Sequence, residues 1–415
     1  MNLKEPTKLF NKNSLLLIQG TLITKFGDVL YSMAIGYYVY NLTESEALLG
    51  IFTSITMFVT MIFSPFAGSI IDRINRKFVI CTMDILRGFL MLLTGFLCIN
   101  GNLPINVLLV LTLIVAFATV LFQPAAATIL IDIVPKTEYV RASSINSGFT
   151  NVIDMISKGL SGFLLVYFGI GELIIANGIS YLLSAATKFL IAIPPTPKQG
   201  SRISIKTVLQ DTIDGFESII KTKGLNQFFI SAILINLFSA GYISLFLVLC
   251  NEKGFTEPQY GILMFLLSLG GFLGTLPTSL LKIKSKTRPT LMAVGFYVGG
   301  MLMFLALASN NFCIVAIGFF FGDFFNIIGN LILNSTLMLL MPIDQRATML
   351  GFISASSIGG FAISTIIYGF LAEYTSISRI AMFGTILSTL VTFFLFQNRD
   401  LIKAVIKSGQ TAEEK

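Results

Sequence analysis

Ionisable side chains interrupt otherwise apolar stretches of this sequence: Lys25 and Asp28, Asp84 and Arg87, Asp154 and Lys158, and Asp323. A charge at membrane depth is costly, so each such residue is a candidate for function. The first three sets have i, i+3 or i, i+4 spacing, so each can pair on its own helix. Asp154 precedes Lys158, the favoured order. Asp84 and Arg87 read as a structural charge pair whose mutual neutralisation lowers the cost of burial. Asp323 has no basic residue three or four positions away. A carboxylate so placed in low dielectric can exchange a proton near neutral pH. The chain contains no histidine, which leaves Asp and Glu as the only proton carriers. Asp28, Asp154 and Asp323 are therefore the candidates for proton coupling, with Lys25 and Lys158 tuning them.

Polar residues continue these positions into stripes. Asn326, Asn330 and Asn334 follow Asp323 within an arc of roughly 80° at 100° per residue. Thr21, Lys25, Asp28 and Ser32 occupy an arc of roughly 60° on an earlier segment. Thr112, Thr119 and Gln123 share a face of another. Such stripes can act as interhelical hydrogen-bonding glue. Glue does not need charges, which favours the wall of an aqueous cavity.

The elements that hold these residues are long and apolar. Of 415 residues, 54% are hydrophobic and 12% charged, about half the charge of a soluble domain. Apolar segments long enough to span a bilayer fall at 14–40, 47–71, 78–99, 104–131, 141–168, 172–194, 226–250, 259–281, 289–309, 311–341, 348–372 and 378–396. The first has no cleavage site and is expected to be retained. Cys81, Cys98, Cys250 and Cys313 lie in apolar segments and read as small buried hydrophobes. The basic residues set the orientation. Lys4, Lys8 and Lys12, then Arg73, Arg76 and Lys77, then Lys136 and Arg141 fall on one side, as do Lys198, Arg202, Lys206, Lys221 and Lys223. So do Lys282, Lys284, Lys286 and Arg288, then Arg346, and then Arg399, Lys403, Lys407 and Lys415. The other side holds Lys253 and Arg379. The positive-inside rule places the first side, and both termini, in the cytoplasm. Residues 195–224 open on a Pro-rich run and read as a cytoplasmic linker, helical around 204–222. Pro135 and Pro342 end corresponding spans half a chain apart and hint at a parallel repeat. The expected domains are 1–194, a first six-helix bundle; 195–224, the linker; 225–398, a second six-helix bundle; and 399–415, a cytoplasmic tail.

The second span ends in Gly68, Asp72, Arg73, Asn75, Arg76 and Lys77. This resembles the loop 2–3 signature of the major facilitator superfamily, with Asn75 in place of a glycine. Asn tolerates a left-handed turn well, so the turn geometry is expected to survive. Gly27-Asp28, Asp84 with Arg87, Gln123-Pro124-Ala125 and the 134–146 loop resemble the drug–proton antiporter branch that includes macrolide and enterobactin exporters. The Gly-Pro of that branch's fifth span is missing from Ser157 to Gly162, which leaves transport direction open. The resemblance implies an all-α membrane protein of twelve transmembrane helices in two six-helix bundles. It implies that spans 1, 4, 7 and 10 line a central cavity, which Asp28 and Asp323 would both face. It also implies that Gly68, Asp72, Arg73, Arg76, Lys77 and Asp132 form a conformational latch. In that latch Asp72 faces the start of span 11, near Arg346 to Thr348, and Arg76 pairs with Asp132.

The expectation is a proton-coupled secondary transporter in the cell membrane that exports a small amphipathic or drug-like molecule. Its partners are that solute, the proton and the lipid bilayer. An importer or lipid flippase on the same scaffold, or a non-transporting sensor, are the alternatives. No P-loop, histidine or metal-ligand spacing appears, so neither an enzyme nor a cofactor or metal is expected. The basic loops serve topology rather than nucleic acid.

Overall fold

The computed structural model describes residues 10–71, 74–135, 139–192, 225–280, 284–340 and 346–397, with a few isolated positions beyond. The amino-terminal lysines Lys4 and Lys8, Asp72, Arg73, Lys136, the linker 195–224, Lys282 and nearly all of the 399–415 tail lie outside the described residues. The protein is an all-α membrane protein. Its helices are α1 (Lys12–Thr43), α2 (Glu46–Ile71), α3 (Arg76–Ile99), α4 (Ile105–Ile133), α5 (Tyr139–Phe168), α6 (Ile170–Phe189) and α7 (Leu225–Ser239). Then come α8 (Gly241–Ser244), α9 (Phe246–Glu252), α10 (Glu257–Leu280), α11 (Arg288–Ala308), α12 (Phe312–Leu340), α13 (Arg346–Ala372) and α14 (Ile377–Phe396). Ten described helices are individually long and apolar enough to cross a bilayer. Helix α1 is the longest at 32 residues and carries Lys25 and Asp28.

Eleven predicted spans coincide with single helices. The seventh, 226–250, is broken into α7, α8 and α9. A break inside a membrane frees backbone groups that must find partners within the protein. Here α13 supplies them. Tyr368 Oη donates to the Phe238 carbonyl, and the Gly241 N–H donates to Ser364 Oγ at 2.9 Å.

The chain divides into two compact units: Met1–Glu44 with Phe58–Val208, and Ser45–Met57 with Leu209–Lys415. The second unit thus includes the first half of α2, where Ser54 Oγ donates to the Ala362 carbonyl at 3.1 Å. In the first unit α6 is sandwiched between α1 and α3. Glycines make this approach possible. A Cβ on Gly88 or Gly95 of α3 would strike Leu182 or Ile175 of α6, and a Cβ on Gly27 of α1 would strike Asn177 and Ser180. In the second unit α12 packs against both α10 and α11.

Caps fix the helix starts. Asn11 forms a capping box with Ser14, and its Nδ2 donates to the Ile133 carbonyl at 2.7 Å, tying α1 to the end of α4. Asn75 corrects the expectation of a left-handed turn. Its φ is −64°, and its side chain accepts from the Phe78 N–H as the N-cap of α3. Asn is among the best N-capping residues, and this role wins over the αL turn. The cysteines divide as well: Cys81 and Cys250 are buried, Cys98 is partly so, and Cys313 is exposed in the first turn of α12.

Candidate functional site

The charged residues of the first unit form two networks. In the first, Asp154 of α5 receives Lys25 Nζ of α1 and Lys158 Nζ of its own helix, each at 2.7 Å. The three side chains are between 21% and 34% exposed, so the group is only half shielded. Lys25 therefore does not pair with Asp28, although the spacing allows it. The rotation of α1 aims Lys25 at α5 and Asp28 at α6.

The second network is deeper. Asp28 accepts a hydrogen bond from Tyr181 Oη of α6. On α3, Asp84 and Arg87 pair as expected, but they are not a closed dyad. Asp84 also receives Lys188 Nζ at 2.8 Å and Ser184 Oγ at 2.9 Å, both from α6. The side chains of Asp84 and Lys188 are fully buried, and Arg87 keeps 4% exposure. The Arg87 guanidinium lies between two rings, 4.2 Å from the centroid of Phe122 and 4.4 Å from that of Tyr181. Lys188 Nζ lies 4.3 Å from the same Phe122 ring. In low dielectric such cation–π contacts replace part of the lost hydration.

Lys188, Tyr181 and Ser184 were not singled out from the sequence. The signal was present, because Asn177, Tyr181, Ser184 and Lys188 recur at +4, +7 and +11 on one face of an apolar helix. The Asp323 helix is marked by a similar spacing, +3, +7 and +11.

In the second unit, Asp323 of α12 places its carboxylate against Gly271 of α10, where a Cβ would collide with it. Tyr242 of α8 lies within electrostatic reach. Asn330 Nδ2 donates to Asn326 Oδ1 at 2.6 Å and to the Asn326 carbonyl at 3.0 Å. Asn334 is exposed, and so are Gln123 and Ser32. The stripes on α1 and α12 therefore run from half-buried to exposed, and that on α4 runs from the buried Thr112 to the exposed Gln123. Phe319 is fully buried, stacking on Tyr242 and edge-on to Phe246, whereas Phe321 is 44% exposed.

At the loop 2–3 motif, Arg76 Nη1 pairs with Asp132 Oδ2 at 2.7 Å. Lys77 Nζ lies 5.2 Å over the Phe189 ring. Gly68 lies within α2. Asp72 and Arg73 lie outside the described residues.

Residues 17–251, more than half of the chain, match the family model of the Major Facilitator Superfamily. The chain belongs to the major facilitator superfamily. It is therefore a multi-pass membrane transporter of small-molecule substrates and not an enzyme. Among major facilitator relatives, it is 24% identical over 315 residues to the uncharacterized transporter YkuC of Bacillus subtilis, covering 71% of this chain and 70% of that protein. It is 29% identical over 277 residues to the putative bacilysin exporter BacE of the same organism, covering 64% of this chain and 66% of that one. The major facilitator fold is also seen in the crystal structure of the nucleoside transporter NupG, which matches at a TM-score of 0.71 with 16% identity over 95% of this chain and 100% of that one.

Proposed function

We propose that this chain is a proton-coupled exporter of a small amphipathic or drug-like compound, working by alternating access in the cell membrane with both termini in the cytoplasm. The observation that carries this reading is the placement of Asp28. It is a carboxylate midway along the 32-residue helix α1, partly exposed, and held by a phenol hydroxyl rather than by an ion pair. Such a group can gain or lose a proton without unfolding its surroundings. Asp323 offers a second carboxylate on an apolar helix in the other unit. Asp154 is compensated by two ammonium groups and serves as a fixed anion that anchors α1 to α5. The export direction is supported by the likeness to BacE, and the Arg76–Asp132 pair supports a latch at the cytoplasmic ends of α3 and α4.

The test has two stages. A deletion strain screened against a compound panel identifies molecules that accumulate. The purified protein in proteoliposomes is then given an imposed pH gradient and those molecules, with pyranine trapped inside to report protons. Export coupled to protons gives substrate-dependent pyranine changes that disappear in Asp28→Asn. Substrate movement that ignores the pH gradient overturns the coupling. Counter-flow in the inward direction alone overturns export in favour of uptake.

A further inference from the structure

The two carboxylates of the deep network are served unequally. Asp84 is met by Arg87, Lys188 and Ser184, while Asp28 is met by the Tyr181 hydroxyl. Arg87 lies between them. One of its Nη atoms is bonded to Asp84, and one face covers the ring whose hydroxyl holds Asp28. Among the described residues its Nε is a buried donor with no hydrogen-bond partner. The guanidinium is planar and carries five donors. Its cation rests against both the Phe122 and the Tyr181 rings, within electrostatic reach of Asp84 and Asp28 alike.

We propose that Arg87 serves Asp84 and Asp28 in turn, and that Lys188 is the positioning residue that frees it to do so. This rests on the reading of Asp28 as a proton carrier. When Asp28 is protonated, Arg87 and Lys188 share Asp84. When Asp28 releases its proton to water through its exposed side, the new carboxylate draws Arg87. Lys188 then neutralises Asp84 alone, and the network becomes two complete pairs. The proton is exchanged at Asp28 because Asp84, Arg87 and Lys188 are closed to solvent.

The other groups around Asp28 do not compete for this role. On α1, Lys25 is engaged by Asp154 at 2.7 Å, and Tyr31 is an uncharged phenol. Helix α5 presents Asp154 and Lys158, which are bonded to each other at 2.7 Å. Helix α6 presents Tyr181, and α4 presents the uncharged Thr112.

The test needs no substrate. The full-length protein in phospholipid vesicles is titrated while infrared spectroscopy follows the carbonyl stretch of protonated carboxylic acids, assigned to Asp28 by its loss in Asp28→Asn. Lys188→Met leaves Asp84 dependent on Arg87, so Asp28 loses its proton at higher pH, with the midpoint raised by about one unit. Asp84→Asn/Lys188→Met removes the competing anion, and the midpoint falls to the wild-type value or below. Lys188→Arg keeps the wild-type midpoint. The exchange is overturned if Lys188→Met titrates as the wild type does, or if the double variant also moves upward. Because the double variant removes one charge of each sign, it carries the test even if Lys188→Met does not accumulate. The pyranine assay separates the two readings. Proton-coupled transport with unshifted midpoints overturns the exchange alone, and shifted midpoints without coupled transport overturn the coupling alone.

Discussion

Asp154 holds a lysine from each of two helices, and removing either partner has a different consequence. Lys25→Met leaves Asp154 paired with Lys158 on its own helix. Asp154→Asn strands two ammonium groups on neighbouring helices. Asp154→Asn is therefore expected to cost more, about 2 kcal/mol for a pair that is only half shielded, and the exchange Lys25→Asp/Asp154→Lys to recover part of it. Thermal unfolding of the detergent-purified protein, followed by size-exclusion chromatography, measures the order. At this scale the sequence names the charged residues but not their partners. Periodicity places Lys25 and Asp28 on one stripe, yet a few tens of degrees of helix rotation decide that one meets α5 and the other α6. Lys188 escaped notice for a related reason. It sits in the last turn of α6, where a lysine ordinarily snorkels to the surface, and only the packing of α3 turns it inward. The pairing of Arg76 with Asp132 is different, because there a family motif specifies both partners.

Helix α6 has contact surfaces on two sides, and its neighbours approach through glycine. Gly27→Leu would drive a branched side chain into Asn177 and Ser180. It is expected to separate α1 from α6 and to lower the yield of folded protein several-fold. Gly36→Leu on the same helix, where a Cβ meets nothing within 4 Å, should be tolerated. Expression as a fluorescent fusion compares the two. The start of α14 supplies a pH-dependent case. Glu252, just past the membrane-spanning part of the seventh span, accepts from Ser376 Oγ at 2.7 Å and the Ile377 N–H at 2.6 Å. Burial alone would raise its carboxyl, but bonds from Ser378, Ser376 and the Ile377 N–H outweigh it and hold the carboxyl below its usual value. The stabilisation is therefore complete above the unfolded value near 4.3 and is lost as pH falls through the lower folded value. Glu252→Gln is expected to lose about 1 kcal/mol at neutral pH, the worth of a helix cap, and to flatten the acid side of a stability–pH curve. Most helix boundaries were legible from hydropathy to within a few residues. The break in the seventh span was not, because its cause lies in Ser364 and Tyr368 on α13, far along the chain.

For the whole molecule, loop charge gives a topology that labelling can check. In a cysteine-free background, cysteine placed at Lys253 or Arg379 should react with a membrane-impermeant maleimide in intact cells. Cysteine placed at Lys286 should react only after permeabilisation, and the reverse pattern inverts the orientation. The proposed latch gives a second check at this scale. Asp72→Asn is expected to slow transport at normal protein abundance, and unchanged transport removes Asp72 from the latch. Membership of the superfamily could be read from span number, the long polar segment and the loop 2–3 motif together, since each constrains the chain over a different length. The break between α7 and α8 also bears on how the protein is made. The Phe238 carbonyl and its partner Tyr368 are 130 residues apart, and synthesis proceeds at about 5–20 residues per second. For several seconds at least, the seventh span lacks the hydroxyl that completes it. Its final shape is therefore a late event in biogenesis, and a chain truncated before α13 would carry an unfinished span into the membrane.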